Sequence, residues 1–154
     1  MMTDTIRILI ADDHPLIRLA LRLELEAADY EVCAEAADRD GAVASALRLE
    51  PDVCILDVQM PGGGIAAARE ITRLLPGTRV LMLTSSEDET DMVAAIRAGA
   101  AGWLGKDSDP ARLPHVLAAL LRGEVAVPRG FVSVLVGQLA RPHESACRGA
   151  ALSG

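Results

Sequence analysis

The stretch Ile6-Arg7-Ile8-Leu9-Ile10-Ala11-Asp12-Asp13-His14-Pro15 decides how this chain is read. A run dominated by branched aliphatic side chains, suited to a buried strand, stops at two adjacent carboxylates. Pro15 then suits the first turn of a helix, because that position needs no backbone donor. Beyond it, Leu16, Leu19, Ala20, Leu23 and Ala27 recur at helical spacing. Strand, acidic turn and helix make one βα unit.

The unit recurs along the sequence. Short apolar runs at Glu31 to Ala36, Val53 to Asp57, Arg79 to Thr84 and Gly102 to Leu104 predict further strands. Helical stripes at about Arg39 to Leu49, Ile65 to Leu75, Glu89 to Ala98 and Ala111 to Arg122 follow them. Pro51, Pro76-Gly77 and Gly99 punctuate the elements. This alternation predicts an α/β, doubly wound parallel sheet, and right-handed crossovers place helices on both of its faces. Ligands of such open sheets bind beyond the carboxyl ends of the strands. Asp12, Asp13, Asp57, Thr84 and Lys106 all map to that edge.

Composition narrows the function. With 154 residues there is room for one domain and a short extension. Hydrophobic residues make up 51% of the chain but there is one Trp, one Tyr and one Phe, so the core must be aliphatic. A net charge of −7 argues against a nucleic-acid surface on this chain. No apolar run approaches the roughly 18 residues of a membrane span, and Met1 to Arg7 has no signal-peptide pattern. The expected location is therefore cytoplasmic, without membrane association. Cys33, Cys54 and Cys147 lack metal-ligand spacing and read as reduced structural thiols.

Three carboxylates and one amine at a sheet edge have a chemical reading. An aspartate can attack phosphorus to form an acyl phosphate, and Asp57 is the expected acceptor. A phosphoryl group approaches several carboxylates only if a hard cation offsets their charge; Mg²⁺ or Mn²⁺ with oxygen ligands fits, and Asp12 and Asp13 read as those ligands together with Asp57. Lys106 would pair with a phosphoryl oxygen, so catalysis would consist of positioning and charge stabilisation. His14, at a helix start beside Pro15, is expected to be a surface capping residue rather than a ligand.

The ordered motifs Ile10-Ala11-Asp12-Asp13-His14, Leu56-Asp57-Val58-Gln59-Met60-Pro61, Leu83-Thr84-Ser85 and Gly105-Lys106-Asp107 resemble the receiver domains of two-component response regulators. The resemblance spans roughly Ile6 to Arg122. It implies a flavodoxin-like five-stranded sheet of order 2-1-3-4-5. It also implies that one acid of the pair binds the metal directly and the other partly through water, with the backbone carbonyl of Gln59 as a further ligand. By the same resemblance Thr84 supplies a switch hydroxyl to the phosphoryl group, coupled to rotation of a fifth-strand aromatic. Trp103 stands there, where Tyr or Phe is more usual. A sensor histidine kinase is the implied phosphoryl donor. Lys106-Asp107 and the segment Arg122 to Pro128 look most like the NarL, FixJ and LuxR subfamily, whose receivers precede a helix-turn-helix domain. DNA would then be reached only through a domain missing here, and the chain is either an excised receiver, the favoured expectation, or a stand-alone form with a residual tail.

Residues 1–122 are thus expected to form the receiver. Residues 123–140 would be an extension carrying an extra helix or linker, with Val132, Leu135, Val136 and Leu139 as its apolar stripe, and 141–154 a disordered tail. The late helix and the resemblance together imply a possible homodimer on phosphorylation. Met60-Pro61-Gly62-Gly63-Gly64-Ile65 looks one residue shorter than the usual loop and is expected to be mobile. Three rival functions make different demands on these residues. A phosphatase with an aspartyl-phosphate intermediate would need a second acid two residues past the nucleophile, where Gln59 stands. An FMN binder would need a phosphate-cradling loop where Asp12 and Asp13 would repel one. A pseudo-receiver acting only through protein contacts would not need the full set of site residues. The expected chain is not an enzyme beyond assisting its own phosphorylation and dephosphorylation.

Overall fold

Alternation within each strand sends successive side chains to opposite sheet faces, and in this chain both faces are apolar. A computed structural model describes residues 5–85 and 89–124. Its strands are β1 (Arg7–Ala11), β2 (Glu31–Ala36), β3 (Val53–Asp57), β4 (Arg79–Thr84) and β5 (Gly102–Gly105). They pair in parallel in the order β2-β1-β3-β4-β5. This is the expected doubly wound sheet and the expected strand order.

Helices α1 (Pro15–Ala27), α2 (Arg39–Leu49), α3 (Gly64–Leu74), α4 (Glu89–Arg97) and α5 (Leu113–Leu121) cover the two faces. Ile8, Ile10, Val53, Ile55, Leu81, Leu83 and Leu104 face Leu21 and Leu25 of α1 and Leu113, Leu117 and Leu120 of α5. Leu9, Cys54, Leu56, Val80, Met82 and Trp103 face the other way, toward Val43, Ala67, Ile71, Met92 and Ala95. β1, β3 and β4 are buried on both sides, which is why they read as continuous apolar runs rather than alternating ones. β2 lies at the edge and is only partly buried, and its register slips at Ile8/Leu9, where Val32 and Ala34 are the successive partners.

The element boundaries follow local chemistry. Asp38 caps α2 by accepting from the Gly41 N–H at 2.7 Å. The predicted last helix begins instead with a 3₁₀ turn, Pro110–Arg112, capped by Asp109, and α5 proper starts at Leu113. Pro110 and Pro114 lack N–H groups, so each sits in the first turn of its own short helix. α3 begins at Gly64, one residue before the predicted start.

The loop between β3 and α3 is fastened despite its glycines. Gly63 N–H reaches Met60 O at 2.9 Å, Gly64 N–H reaches Val58 O at 3.1 Å, and Arg39 N–H of α2 reaches Pro61 O at 2.9 Å. Gly62 and Gly63 have φ of 87° and 90°, the left-handed region where glycine is favoured. Gly64 is needed for another reason: a Cβ there would lie 2.0 Å from the Asp57 carbonyl oxygen. The predicted extra helix, the predicted tail and Cys147 lie outside the described residues.

Candidate functional site

The parallel sheet sets the carboxyl ends of β1, β3, β4 and β5 at one edge, and the residues that follow those strands converge there. Asp12 follows β1 and Asp57 ends β3; both are 0% exposed. Lys106 follows β5, and its side chain is only 10% exposed. Its ammonium lies 2.8 Å from Asp12 Oδ2 and 3.0 Å from Asp57 Oδ2. Lys106 is the cation these two buried oxygens share, and no other donor among the described residues reaches them.

The backbone holds these groups in place. Asp12 N–H is bonded to Ala36 O of β2 at 3.0 Å, and Lys106 N–H to Thr84 O of β4 at 2.6 Å. Gln59 N–H donates to Asp57 Oδ1 at 3.1 Å, and Val58 N–H to Leu83 O at 2.9 Å. Arg18 of α1 donates from Nη1 to the Asp12 carbonyl at 2.5 Å and from Nε to Glu35 Oε1 of β2 at 3.0 Å. Arg22 pairs with the other Glu35 oxygen. The first helix, the edge strand and the acidic turn are thereby tied together.

Burial pushes the Asp57 carboxyl above its ordinary range. The Gln59 N–H and Lys106 pull the other way, and the neighbouring Asp12 charge adds to the rise. For Lys106, burial lowers the pKa, but bonds and charges from Asp12 and Asp57 outweigh it and the net direction is up.

The predicted residues come together in part as separate shells. Asp12, Asp13, Asp57 and Lys106 meet at the edge. Thr84 is buried at the end of β4, its carbonyl held by Lys106 N–H. Trp103 is 4% exposed and packs in the core cluster with Met82, Met92 and Ala95, below the opening rather than in it.

His14 departs from its expected role. It occupies the N-cap position of α1, yet its side chain makes no capping bond. Its Nδ1 instead lies 2.8 Å from Asp12 Oδ1, 3.1 Å from Asp13 Oδ1 and 3.3 Å from Lys106 Nζ. Asp12 Oδ1 takes over the backbone task by accepting the His14 N–H at 2.8 Å. Arg18 was missed as well; only the pairing of β1 with β2 brings Glu35 beside it.

A hard cation fits this edge. One donor atom each from Asp12, Asp13, His14 and Asp57 lies within 4.8 Å of all the others. Two fully buried carboxylates share one lysine. Oxygen-rich, under-compensated negative charge is what Mg²⁺ or Mn²⁺ selects.

Comparison with known proteins agrees with the geometry. The family model described as "Response regulator receiver domain" matches residues 8–118. A transcriptional regulatory protein of Bacillus subtilis, YxjL, is 42% identical over 126 residues, covering 80% of this chain and 58% of that protein. LiaR, a transcriptional regulatory protein of the same organism, is 36% identical over 148 residues, covering 91% of this chain and 70% of LiaR. The crystal structure of a LuxR-family two-component response regulator from Aurantimonas sp. SI85-9A1 superposes with a TM-score of 0.80 at 34% identity, covering 89% of this chain and 99% of that one. The chain thus spans 58% of the length of YxjL.

Proposed function

Because this chain belongs to the response regulator receiver domains, we propose that Asp57 is its phosphoacceptor and that a sensor histidine kinase is the donor. One observation carries this reading: Asp57 is buried at the end of the central strand β3, opposite Asp12, with the Lys106 ammonium 3.0 Å away. In the transfer, a carboxylate oxygen of Asp57 forms the new O–P bond as the P–N bond to the donor imidazole breaks, and that imidazole keeps the electron pair. Lys106 stabilises the negative charge on the phosphoryl oxygens at a site it already occupies, so little reorganisation is needed. Asp12, Asp13, Asp57 and the Gln59 carbonyl would hold Mg²⁺, which when bound offsets charge between carboxylates and phosphoryl oxygens. No general base is required.

Phosphorylation adds about −1.5 to −2 charges and three acceptor oxygens. Those acceptors favour a state in which Thr84 turns its hydroxyl toward them, and Trp103 is the aromatic whose packing against α4 would respond. The receiver unit is taken as residues 1–122, with 123–140 and 141–154 as extension and tail. A transcriptional output is supported by the names of YxjL and LiaR, both transcriptional regulatory proteins, and a helix-turn-helix domain as its vehicle rests on the subfamily resemblance. A cytoplasmic site of action is supported by the kind of partner proposed. Among the described residues, no helix is long and apolar enough to cross a membrane.

Incubation with acetyl phosphate and Mg²⁺ followed by intact mass measurement tests the proposal. The wild-type chain should gain about 80 Da, one phosphoryl group, and Asp57→Asn should gain nothing. A gain of equal size in the variant would overturn the assignment.

A further inference from the structure

The nitrogen that turns into the acidic edge has no place in the chemistry above. His14 Nδ1 faces Asp12 Oδ1 at 2.8 Å and Asp13 Oδ1 at 3.1 Å instead of capping its helix. Building on the metal site just proposed, we infer that His14 is a fifth protein ligand, and that its nitrogen raises the affinity of the site for a divalent cation of the Co²⁺ and Ni²⁺ class relative to Mg²⁺.

Two independent observations support this. The first is convergence: the imidazole nitrogen and one oxygen from each of Asp12, Asp13 and Asp57 lie within 4.8 Å of one another. Donors about 2.1 Å from one octahedral ion are at most about 4.2 Å apart, so sub-ångström side-chain movements complete the set. The second is the state of Asp12 Oδ2 and Asp57 Oδ2, both on fully buried residues and both served by a single shared cation. Both face the Lys106 ammonium, at 2.8 and 3.0 Å, and that ammonium lies 3.3 Å from His14 Nδ1, so these oxygens and the imidazole nitrogen border one space.

The ring can change partners without disturbing the core. It is 60% exposed, and Nδ1 sits between two carboxylate acceptors and the Lys106 ammonium at 3.3 Å. With its proton on Nδ1 the ring donates to Asp12; with the proton on Nε2 it presents a lone pair on Nδ1. The second tautomer is the one that ligates. Imidazole adds little affinity for Mg²⁺, which prefers oxygen, and much more for Co²⁺ or Ni²⁺.

The test uses the untagged full chain, titrated calorimetrically with MgCl₂ and with CoCl₂, as wild type, His14→Ala and Asp13→Asn. The Co²⁺-to-Mg²⁺ affinity ratio should fall tenfold or more in His14→Ala, while Asp13→Asn weakens both ions. Proton NMR of the Co²⁺-loaded wild type should show a hyperfine-shifted imidazole N–H resonance that vanishes in His14→Ala. A ratio unchanged within twofold, or a shifted resonance that persists in His14→Ala, overturns the assignment of His14 and leaves the acidic metal site standing. Failure of the wild type to bind Mg²⁺ at all would instead sink the acidic site and this inference with it.

Discussion

Asp57 shows how a single residue can be placed at a cost to the fold. Its carboxyl pKa is raised by burial, so between the unfolded value near 3.8 and the folded value the native state holds a proton that the unfolded state has released. Stability therefore falls as pH rises through that window, and above it Asp57 is an ionised group that the fold tolerates rather than gains from. Asp57→Asn should raise the melting temperature at pH 7 by a few degrees, a change of about 1 kcal/mol, and flatten the acid-side pH dependence. Calorimetric scans of both proteins between about pH 4 and pH 8 would check both parts. Lys106 works in the opposite sense. Lys106→Met would leave two buried carboxylates facing each other without a cation, and should cost about 3 kcal/mol in chelator-treated protein. Mg²⁺ should restore part of that loss, read from urea midpoints with and without the ion.

At the scale of elements, the junction of β3 with α3 is the tightest constraint in the described structure. Gly64 lies so close to the Asp57 carbonyl that no side chain fits, and the same turn carries Gln59, whose N–H orients the Asp57 carboxylate. Gly64→Ala must displace either the start of α3 or the end of β3. It should destabilise by about 3 kcal/mol or more and weaken Mg²⁺ binding, as thermal unfolding and calorimetry on the same sample would show. α1 offers a contrast. Its inner residues Leu21 and Leu25 are buried, while Leu16, Leu19 and Leu23 are exposed along the helix. The helical stripe read from the sequence, Leu16, Leu19, Ala20, Leu23 and Ala27, is therefore largely the outer row, and packing against the sheet buries Leu21 and Leu25 instead. Replacing the three outer leucines with Gln should change the melting temperature by no more than a few degrees, because surface changes away from packed contacts are worth about 0.5 kcal/mol or less each. If that row joins two copies on phosphorylation, the mass of the acetyl phosphate-treated protein in sedimentation will drop to the monomer value in this variant.

For the whole molecule, net charge −7 and an acidic edge predict that a divalent cation should stabilise the folded state. Mg²⁺ at a hundred times its dissociation constant should add about 2.7 kcal/mol, and the increment should disappear in Asp13→Asn, as scans over a Mg²⁺ series would show. Much of this architecture was readable in the residues. Strand runs buried on both faces cannot be mistaken for surface segments, and an acidic pair after one such run, an aspartate ending another and a lysine after a third share an edge in any parallel doubly wound sheet. The boundaries of the last helix were not readable, because Pro110 and Pro114 each license a helix start and only packing of Leu113, Leu117 and Leu120 on the sheet selects the second for α5. Nor was the orientation of His14, since a histidine beside a helix-starting proline can cap or turn inward, and its choice follows from where Asp12 and Asp13 stand. The sequence by itself determined the fold class and the shared edge, since parallel direction follows from local pattern and handed connections, while the strand order was implied by the resemblance to receiver domains. Tertiary structure alone decided how the residues at that edge meet: Lys106 between two buried carboxylates, Arg18 bracing Asp12 through Glu35, and an imidazole at the opening, because distances between strands far apart in sequence exist only once the sheet has formed.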